Sequence, residues 1–227
     1  MKIRKYGITI IRLKEEHLEI VRKWRNDEEI CRYMEFRDYI TPEMQKDWFK
    51  SVNNIYNSYY VIEYERKLIG LINEKNIDFE KKTAEAGLLI GEKEYLNSPA
   101  PLLASLCLLE VGFNIAGGEK CFIKVHKDNK NAIEYNKSMG FVLHSENKTT
   151  GFNKYVLDRQ NYKQKAEKVI KAVLKLSGNN TEGCVVLEKE DYKKGIGFFT
   201  RELMEKSGIK FRKEMEGDDE VYYYSWS

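Results

Sequence analysis

The chain has few of the residues that build metal sites, disulfide frameworks or flexible linkers. Its 227 residues include three histidines, four cysteines and three prolines. No two cysteines form a Cys-x-x-Cys pair, so we expect buried thiols rather than disulfides, and we expect no metal site. The scarcity of proline, together with the lack of any Ser/Gly-rich stretch, argues against a long flexible linker.

Long apolar runs and an excess of one charge are also missing. No segment approaches the roughly 20 apolar residues needed to cross a bilayer, and the N-terminal MKIRKYGITIIRL lacks the apolar centre of a signal peptide. Lysine and arginine (39) nearly balance aspartate and glutamate (36). This balance does not favour nucleic-acid binding. We therefore expect a cytoplasmic protein with neither nucleic-acid nor membrane partners.

An alternation of strand and helix patterns runs from Ile8 to Asp158. The predicted strands are Ile8–Leu13, Ser58–Tyr64, Lys67–Asn73, Thr83–Gly91, Lys120–His126, Phe141–Ser145 and Phe152–Leu157. Two short helices are predicted between Lys14 and Met34, and further helices after Pro42, at Pro99–Ile115 and at Asn129–Ser138. This order predicts an α/β or α+β fold with a mixed central sheet and helices on both faces.

The pattern starts again beyond Asn161, with a helix, a short strand, a second helix and two strands. We therefore divide the chain into residues 1–160 and a small C-terminal α/β extension, residues 161–227. An extension of this length is close to the lower size limit for an independent domain. We expect it to pack on the main domain or on another subunit, and a homodimer is one assembly consistent with that.

The segment NAIEYNKSMGF (residues 131–141), preceded by FIKVHKDNK, resembles the closing motif of the GNAT superfamily of N-acetyltransferases. In that family the first part of the motif opens a helix beside the pantetheine arm, and Gly-Phe starts the next strand. The resemblance covers about residues 8–158 and implies a GNAT fold with acetyl-CoA as the acyl donor. The opening, with Trp24-Arg25-Asn26, Tyr33-Met34 and Trp48-Phe49, resembles amino-sugar N-acetyltransferases of the pseudaminic-acid type. Ribosomal-protein acetyltransferases begin in a similar way.

The resemblance implies where acetyl-CoA binds. A splayed strand would offer backbone groups to pantetheine, a loop at a helix N-terminus would hold the pyrophosphate, and the closing helix would add contacts. The residues with these roles are Leu88, Leu89, Ile90, Tyr95, Asn97, Ser98, Asn131 and Asn136. The family's Arg/Gln-x-x-Gly-x-Gly/Ala loop is replaced here by EYLNSPAP, which lacks glycine and contains two prolines without N–H groups. This departure predicts weakened pyrophosphate binding.

Amine acetylation requires a base for the ammonium proton and an acid for the departing thiolate. Glu85 matches the position of the family's glutamate and is the predicted base, directly or through a water; an ordinary ion pair is the alternative. The family's acidic tyrosine would fall at Asn136, and Tyr135 lies one residue early, a rotation of about 100° along a helix. Either Tyr135 reaches the sulfur from a shifted helix or solvent protonates the thiolate.

Five residues near the opening motif are predicted to bind the acceptor: Trp24, Arg25, Asn26, Met34 and Trp48. The polar pair would make charge-assisted hydrogen bonds to a nucleotide-sugar, and the aromatic rings would stack on sugar or base, with core packing as the competing interpretation. We predict acetyl transfer to the primary amine of a small acceptor, an amino sugar or nucleotide-linked amino sugar, by direct attack in a ternary complex. The alternatives are a protein or peptide N-terminal acetyltransferase and a non-catalytic binding or scaffold module.

Overall fold

The computed structural model describes residues 1–176 and 182–225. These residues form a sheet with strands β1 (Lys2–Lys5), β2 (Ile8–Arg12), β3 (Ser58–Tyr64), β4 (Lys67–Asp78), β5 (Thr83–Ile90), β6 (Lys120–His126), β7 (Val142–Ser145), β8 (Phe152–Asp158), β9 (Glu182–Leu187), β10 (Arg212–Glu216) and β11 (Asp219–Ser225). The strand order is β10-β11-β9-β1-β2-β3-β4-β5-β6-β8-β7. Among the described strands, β5 and β6 pair in parallel and the other neighbours are antiparallel. The predicted mixed sheet is confirmed.

The α-helices are α1 (Leu18–Arg25), α2 (Glu28–Cys31), α3 (Pro42–Val52), α4 (Ala100–Glu110), α5 (Lys130–Ser138), α6 (Arg159–Asn161), α7 (Glu167–Leu176), α8 (Lys189–Lys193) and α9 (Ile196–Lys206). Local hydrogen bonds fix the starts of α3 and α5. The Thr41 side chain accepts the Met44 N–H, and the Asn129 side chain accepts the Ala132 N–H, so the two residues are the N-caps of these helices. The predicted helix Pro99–Ile115 ends differently, because after α4 it continues as a π-helical turn, Val111–Ile115. No helix in the described ranges is long and apolar enough to span a bilayer.

Helices cover both faces of the sheet. On one face, α1 and α3 bury Val21, Trp24 and Phe49 against Val61 and Leu71; we call this the α1/α3 face. On the other, α4, α5, α7 and α9 cover the strands over two larger clusters; we call this the α4/α9 face. Since successive residues of a strand point to opposite faces, the strand register decides which side chains reach each layer.

The sequence patterns did not predict strand β1. It forms a hairpin with β2 through Tyr6 and Gly7, whose φ angles are 57° and 75°. Two adjacent positive φ values are typical of a tight hairpin turn whose twist matches the strands. Lys5 lies buried in this strand, with its ammonium 2.9 Å from the Glu110 carboxylate of α4. This pair fixes the hairpin to the helix layer.

The C-terminal extension continues the same sheet. Strand β9 pairs antiparallel with β1, and β11 pairs with β9. The expected packing on the main domain is therefore observed, while the boundary at residue 160 stays a prediction. The second helix of the extension, which the sequence predicts over Asp191–Lys206, is interrupted at Gly195, whose φ of 75° lies in the left-handed region, so that α8 and α9 are separate helices. The sequence also predicts that Ser177-Gly178-Asn179-Asn180 ends the first helix of the extension, and these residues lie outside the described ranges.

Candidate active site

Strands β5 and β6 separate along their length. They pair in parallel at Thr83–Lys120, Ala84–Cys121 and Glu85–Phe122, and no further. Beyond this point β5 stays paired with β4 and β6 with β8, so the two strands diverge. The divergence leaves one backbone edge of residues 86–90 without a strand partner. Such an edge can pair with an extended ligand that carries amide groups.

The predicted cofactor residues of β5 line this opening. Leu88 is 36% exposed and faces the α4/α9 side, whereas Leu89 and Ile90 are buried against opposite faces of the sheet. Their side chains therefore serve packing, and their backbone edge is the part that a pantetheine arm would meet. The splay fits the arm of acetyl-CoA.

Glu85 lies where the two strands part. Its carboxylate is 2.9 Å from the Lys75 ammonium and 3.8 Å from that of Lys124, and its side chain is 15% exposed. Lys75 is its register partner on β4, and Lys124 projects from β6 across the splay. An ionised carboxylate at this point can accept a proton from an amine that arrives on the α1/α3 face.

An aromatic and cationic wall stands beside Glu85. Trp48 of α3 packs edge-to-face on Tyr59 of β3 with ring centroids 5.0 Å apart. Burial raises the pKa of the Tyr59 hydroxyl, and the positive charge of Arg25 acts in the opposite direction. Burial also lowers the pKa of the Arg25 guanidinium, with Tyr59 acting against it. Arg25 makes no hydrogen bond or ion pair with the described residues, so its charge is available to a ligand.

The other predicted acceptor residues serve packing or loop geometry. Trp24 is buried, its indole N–H donates to Glu92 at 3.1 Å, and its ring covers Gly91, where an added Cβ would lie 2.2 Å from the indole. The Asn26 amide both donates to and accepts from the Ile40 backbone at 2.9 Å. Met34 is half-buried against the α1/α3 core. Trp24 and Asn26 therefore have structural partners, and direct acceptor contacts from them stay predictions.

A buried amide also lies on this face. The side-chain nitrogen of Asn73 is buried and has no hydrogen-bond partner among the described residues. Its oxygen lies over Gly87, where an added Cβ would approach it to 2.8 Å. An orphaned donor usually indicates a missing partner. Asn73 therefore offers an N–H to a ligand in the splay, and neither periodicity nor motif had indicated it.

Beyond Lys124, the exposed part of β6 and β8 carries rings and further positive charge. Lys154 lies 3.9 Å from the centre of the Phe122 ring, and the ring of His144 packs on Phe122 at 5.4 Å. His126 contacts the rings of Tyr33 and Phe152 at 5.8 and 5.0 Å. Flat rings interleaved with lysines suit a base and phosphates.

The predicted pyrophosphate loop folds on itself. The N–H groups of Tyr95, Leu96 and Ser98 donate to carbonyls within the loop. The Ser98 hydroxyl accepts the Ala100 N–H and donates to the Tyr95 carbonyl. With prolines at 99 and 101, the α4 N-terminus presents fewer donors than most helix starts. Asn97 remains exposed and without a hydrogen bond to the described residues.

On the closing helix α5, Tyr135 turns toward α4. Its hydroxyl lies 3.0 Å from the Pro101 carbonyl and 2.8 Å from the Ser105 hydroxyl, and burial raises its pKa to about 12. The Asn136 side chain donates to the Ala132 carbonyl within its own helix, at 2.7 Å. Asn131 is exposed near the helix start, where Asn129 supplies the cap. Contacts from these residues to acetyl-CoA or to its sulfur stay predictions.

The geometry brings together residues that the sequence motifs did not. Lys75, Lys124, Tyr59 and Asn73 surround the position of Glu85 on one face. The pairing of β4 with β5 places Lys75 opposite Glu85 and Asn73 opposite Gly87. Since alternate residues of a strand share a face, this register, had it been known, would have indicated both residues. Among the described residues, no group of histidine, cysteine, aspartate and glutamate side chains is arranged to hold a metal ion.

Comparison with known proteins agrees with this geometry. The model of the acetyltransferase (GNAT) domain family matches residues 8–142, more than half of the chain. No curated protein sequence matches significantly. Among solved structures, FdhC, described as a nucleotide-linked sugar GNAT, is 19% identical over 76% of this chain and 97% of its own, with a TM-score of 0.64.

Two further solved structures share the fold. Spermidine N-acetyltransferase from Vibrio cholerae, in complex with CoA and spermine, is 19% identical over 70% of this chain and 99% of its own, with a TM-score of 0.62. A domain from Methanocaldococcus jannaschii is 18% identical over 66% of this chain and 97% of its own, with a TM-score of 0.59. The family match and the splayed sheet together show that this chain belongs to the GNAT acetyltransferase family and is an acetyl-CoA-dependent N-acetyltransferase.

Proposed function

We propose that the chain acetylates the primary amine of a small anionic acceptor, a nucleotide-linked amino sugar, by direct attack on the thioester. The observation that carries this proposal is the unpaired guanidinium of Arg25 beside Tyr59 on the α1/α3 face. A desolvated cation without a carboxylate partner is unfavourable unless a ligand supplies the anion. A diphosphate, which a guanidinium binds with two parallel hydrogen bonds, is such a ligand.

The charges around the splay favour an anionic acceptor over a cationic one. The carboxylates that face it, Glu85 and Glu35, are both within ion-pair distance of Lys124, and Lys154 adds a further positive charge. A polyamine requires unpaired carboxylates for its several ammonium groups, whereas a nucleotide is attracted by this surface. The solved spermidine acetyltransferase shares the fold, but fold alone does not fix the acceptor.

In this proposal each residue has one task. Glu85 accepts the proton of the attacking amine, directly or through a water, while Arg25 holds a phosphate and Trp48 with Tyr59 pack against the sugar. Acetyl-CoA supplies the acetyl group from the splay between β5 and β6. Because no cysteine lies exposed at the site, the amine attacks the thioester directly rather than an acyl-enzyme.

The test compares acceptors and one matched pair of variants. Release of free CoA is measured with a uridine-diphosphate amino sugar, with spermidine and with a short peptide. We expect the nucleotide sugar to give the highest kcat/KM, and Arg25→Gln to raise its KM about tenfold or more through loss of a charged hydrogen bond. Arg212→Gln, an exposed arginine on β10 at the far end of the sheet, is the control and changes KM little. A preference for spermidine or the peptide would contradict the proposal.

A further inference from the structure

A cavity of about 120 Å³ lies on the α4/α9 face of the sheet. Strands β2, β3 and β4 form its floor, the π-helical turn Val111–Ile115 forms one wall, and α9 of the C-terminal extension forms another. Lys75 projects from the opposite face of β4, and its register partner Glu85 projects from that same face of the neighbouring β5. The cavity is therefore separated from the candidate active site by the sheet itself.

The cavity walls are mainly hydrocarbon. They include Leu108, Val111, Ile196, Phe199 and Leu203. For comparison, an engineered apolar cavity of about 150 Å³ accommodates benzene. A compact body of five or six carbons therefore suits this space, and the extension contributes the last three of these side chains.

Charged side chains also line the cavity: Arg12, Glu74, Asp78, Lys82 and Lys120. Lys82 and Lys120 are exposed, and Asp78 pairs with Lys81 at 2.8 Å. The Glu74 carboxylate makes no hydrogen bond and no ion pair with the described residues, and burial raises its pKa to about 7. Its oxygen lies over Gly112, where an added Cβ would approach it to 2.5 Å. The accessible part of Glu74 lines the cavity, so a ligand in the cavity would meet it.

None of the cations in the lining, Arg12, Lys82 and Lys120, forms an ion pair with this carboxylate among the described residues. Arg12 directs its terminal nitrogens to the Asn54 and Asn57 carbonyls, at 2.8 and 3.2 Å, and to the Ser58 hydroxyl at 3.5 Å. Its Nε is buried without an acceptor. Glu74 therefore stands as an unpaired acid in an apolar space, an arrangement that is costly for the protein alone.

We propose that this cavity binds a small primary amine with a compact hydrocarbon body, its ammonium group paired with Glu74. The hydrocarbon fills the space between the π-helical turn and α9, and the ammonium group is the positively charged partner of the Glu74 carboxylate. An uncharged molecule of the same shape gains only the apolar contact, and an anion is repelled by the carboxylate. The extension completes the site, because α9 closes one side of it.

The test uses cyclohexylamine and its uncharged counterpart cyclohexanol, titrated into the full chain by calorimetry with saturating CoA present. We expect the amine to bind about tenfold or more tightly than the alcohol. Glu74→Gln should remove that preference while leaving CoA binding intact, and Leu203→Trp, which fills the cavity from α9, should abolish binding of both compounds.

The active site also takes amines, so Glu85→Gln separates the two sites. Amine binding that persists in Glu85→Gln and is lost in Glu74→Gln supports the cavity site. Equal affinity for amine and alcohol, no saturable binding, or loss in Glu85→Gln rather than Glu74→Gln would overturn it. None of these results bears on the acceptor proposal, which rests on Arg25.

Discussion

The carboxylate of Glu85 and the ammonium of Lys75 lie 2.9 Å apart across the paired strands β4 and β5. Lys124 approaches the same carboxylate from the far side of the splay, at 3.8 Å. An amine that enters here meets two positive charges, which disfavour its protonated form and favour the neutral nucleophile. The register of β4 and β5, which places Lys75 opposite Glu85, therefore helps to determine the protonation state of the acceptor amine.

Replacing Glu85 by Gln tests its task as the base. The amide keeps the shape but cannot accept a proton, so we expect kcat to fall about 100-fold or more, with the affinity for acetyl-CoA unchanged. Steady-state assay of CoA release measures this. Glu35→Gln, an exposed residue that also pairs with Lys124, is the control and should stay near wild type. A Glu85→Gln enzyme with full turnover would show that the carboxylate is only an ion-pair partner.

Pro101 limits the donors at the start of α4. Pro101→Ala adds a backbone N–H there, and we expect acetyl-CoA to bind about tenfold or more tightly, since a hydrogen bond to a charged group contributes about 1.5 kcal/mol or more. S-acetylpantetheine, which lacks the phosphates, should bind as before. Pro42→Ala at the start of α3 is the matched control. An equal increase in affinity for acetyl-CoA and for S-acetylpantetheine would contradict a role for this helix end in phosphate binding.

Replacing Tyr135 by Phe tests whether its hydroxyl has a structural or a catalytic role. Because its hydroxyl is held between Pro101 and Ser105 and its pKa is raised to about 12, we expect Tyr135→Phe to cost about 1 kcal/mol of unfolding free energy and to slow turnover only a few-fold. Chemical denaturation and kcat are measured on the same preparation. A large fall in kcat with unchanged stability would instead identify Tyr135 as the acid.

Glu74 makes stability depend on pH. Its pKa is about 7 in the folded chain against an ordinary 4.5, so below pH 4.5 both states carry the proton and no cost arises. As the pH rises, the unfolded chain releases the proton first, and the folded state loses up to about 3 kcal/mol by pH 8. Urea unfolding of wild type and Glu74→Gln should therefore agree near pH 4.5 and diverge toward pH 8, with the variant more stable. A difference in unfolding free energy that stays the same at every pH would show that the carboxyl is not desolvated.

Local patterns predicted most elements of the sheet. Strand Lys120–His126 matches β6 at both ends, because its apolar alternation is regular and the Gly117-Gly118 stop precedes it. Strand β1 was missed because its Lys and Arg residues hide an alternation of only four residues. Its pairing with β9, some 180 residues away in sequence, depends on tertiary contacts that no local window contains.

The site was harder to predict than the fold. Glu85 was proposed from its motif position, and its task as the base stays a prediction. Its neighbours Lys75 and Asn73 depend on the antiparallel register of β4 and β5, which a single sequence does not specify. Trp24 was proposed as a stacking surface, and the structure buries it over Gly91. An aromatic residue at helical spacing fits core and pocket equally well, and only the packing distinguishes them.

Isothermal titration of the full chain with acetyl-CoA is the decisive measurement, because every catalytic step requires that the splay between β5 and β6 hold this donor. We expect saturable micromolar binding with one site per chain and a raised melting temperature. No heat at millimolar acetyl-CoA, with an unchanged melting temperature, would contradict this expectation.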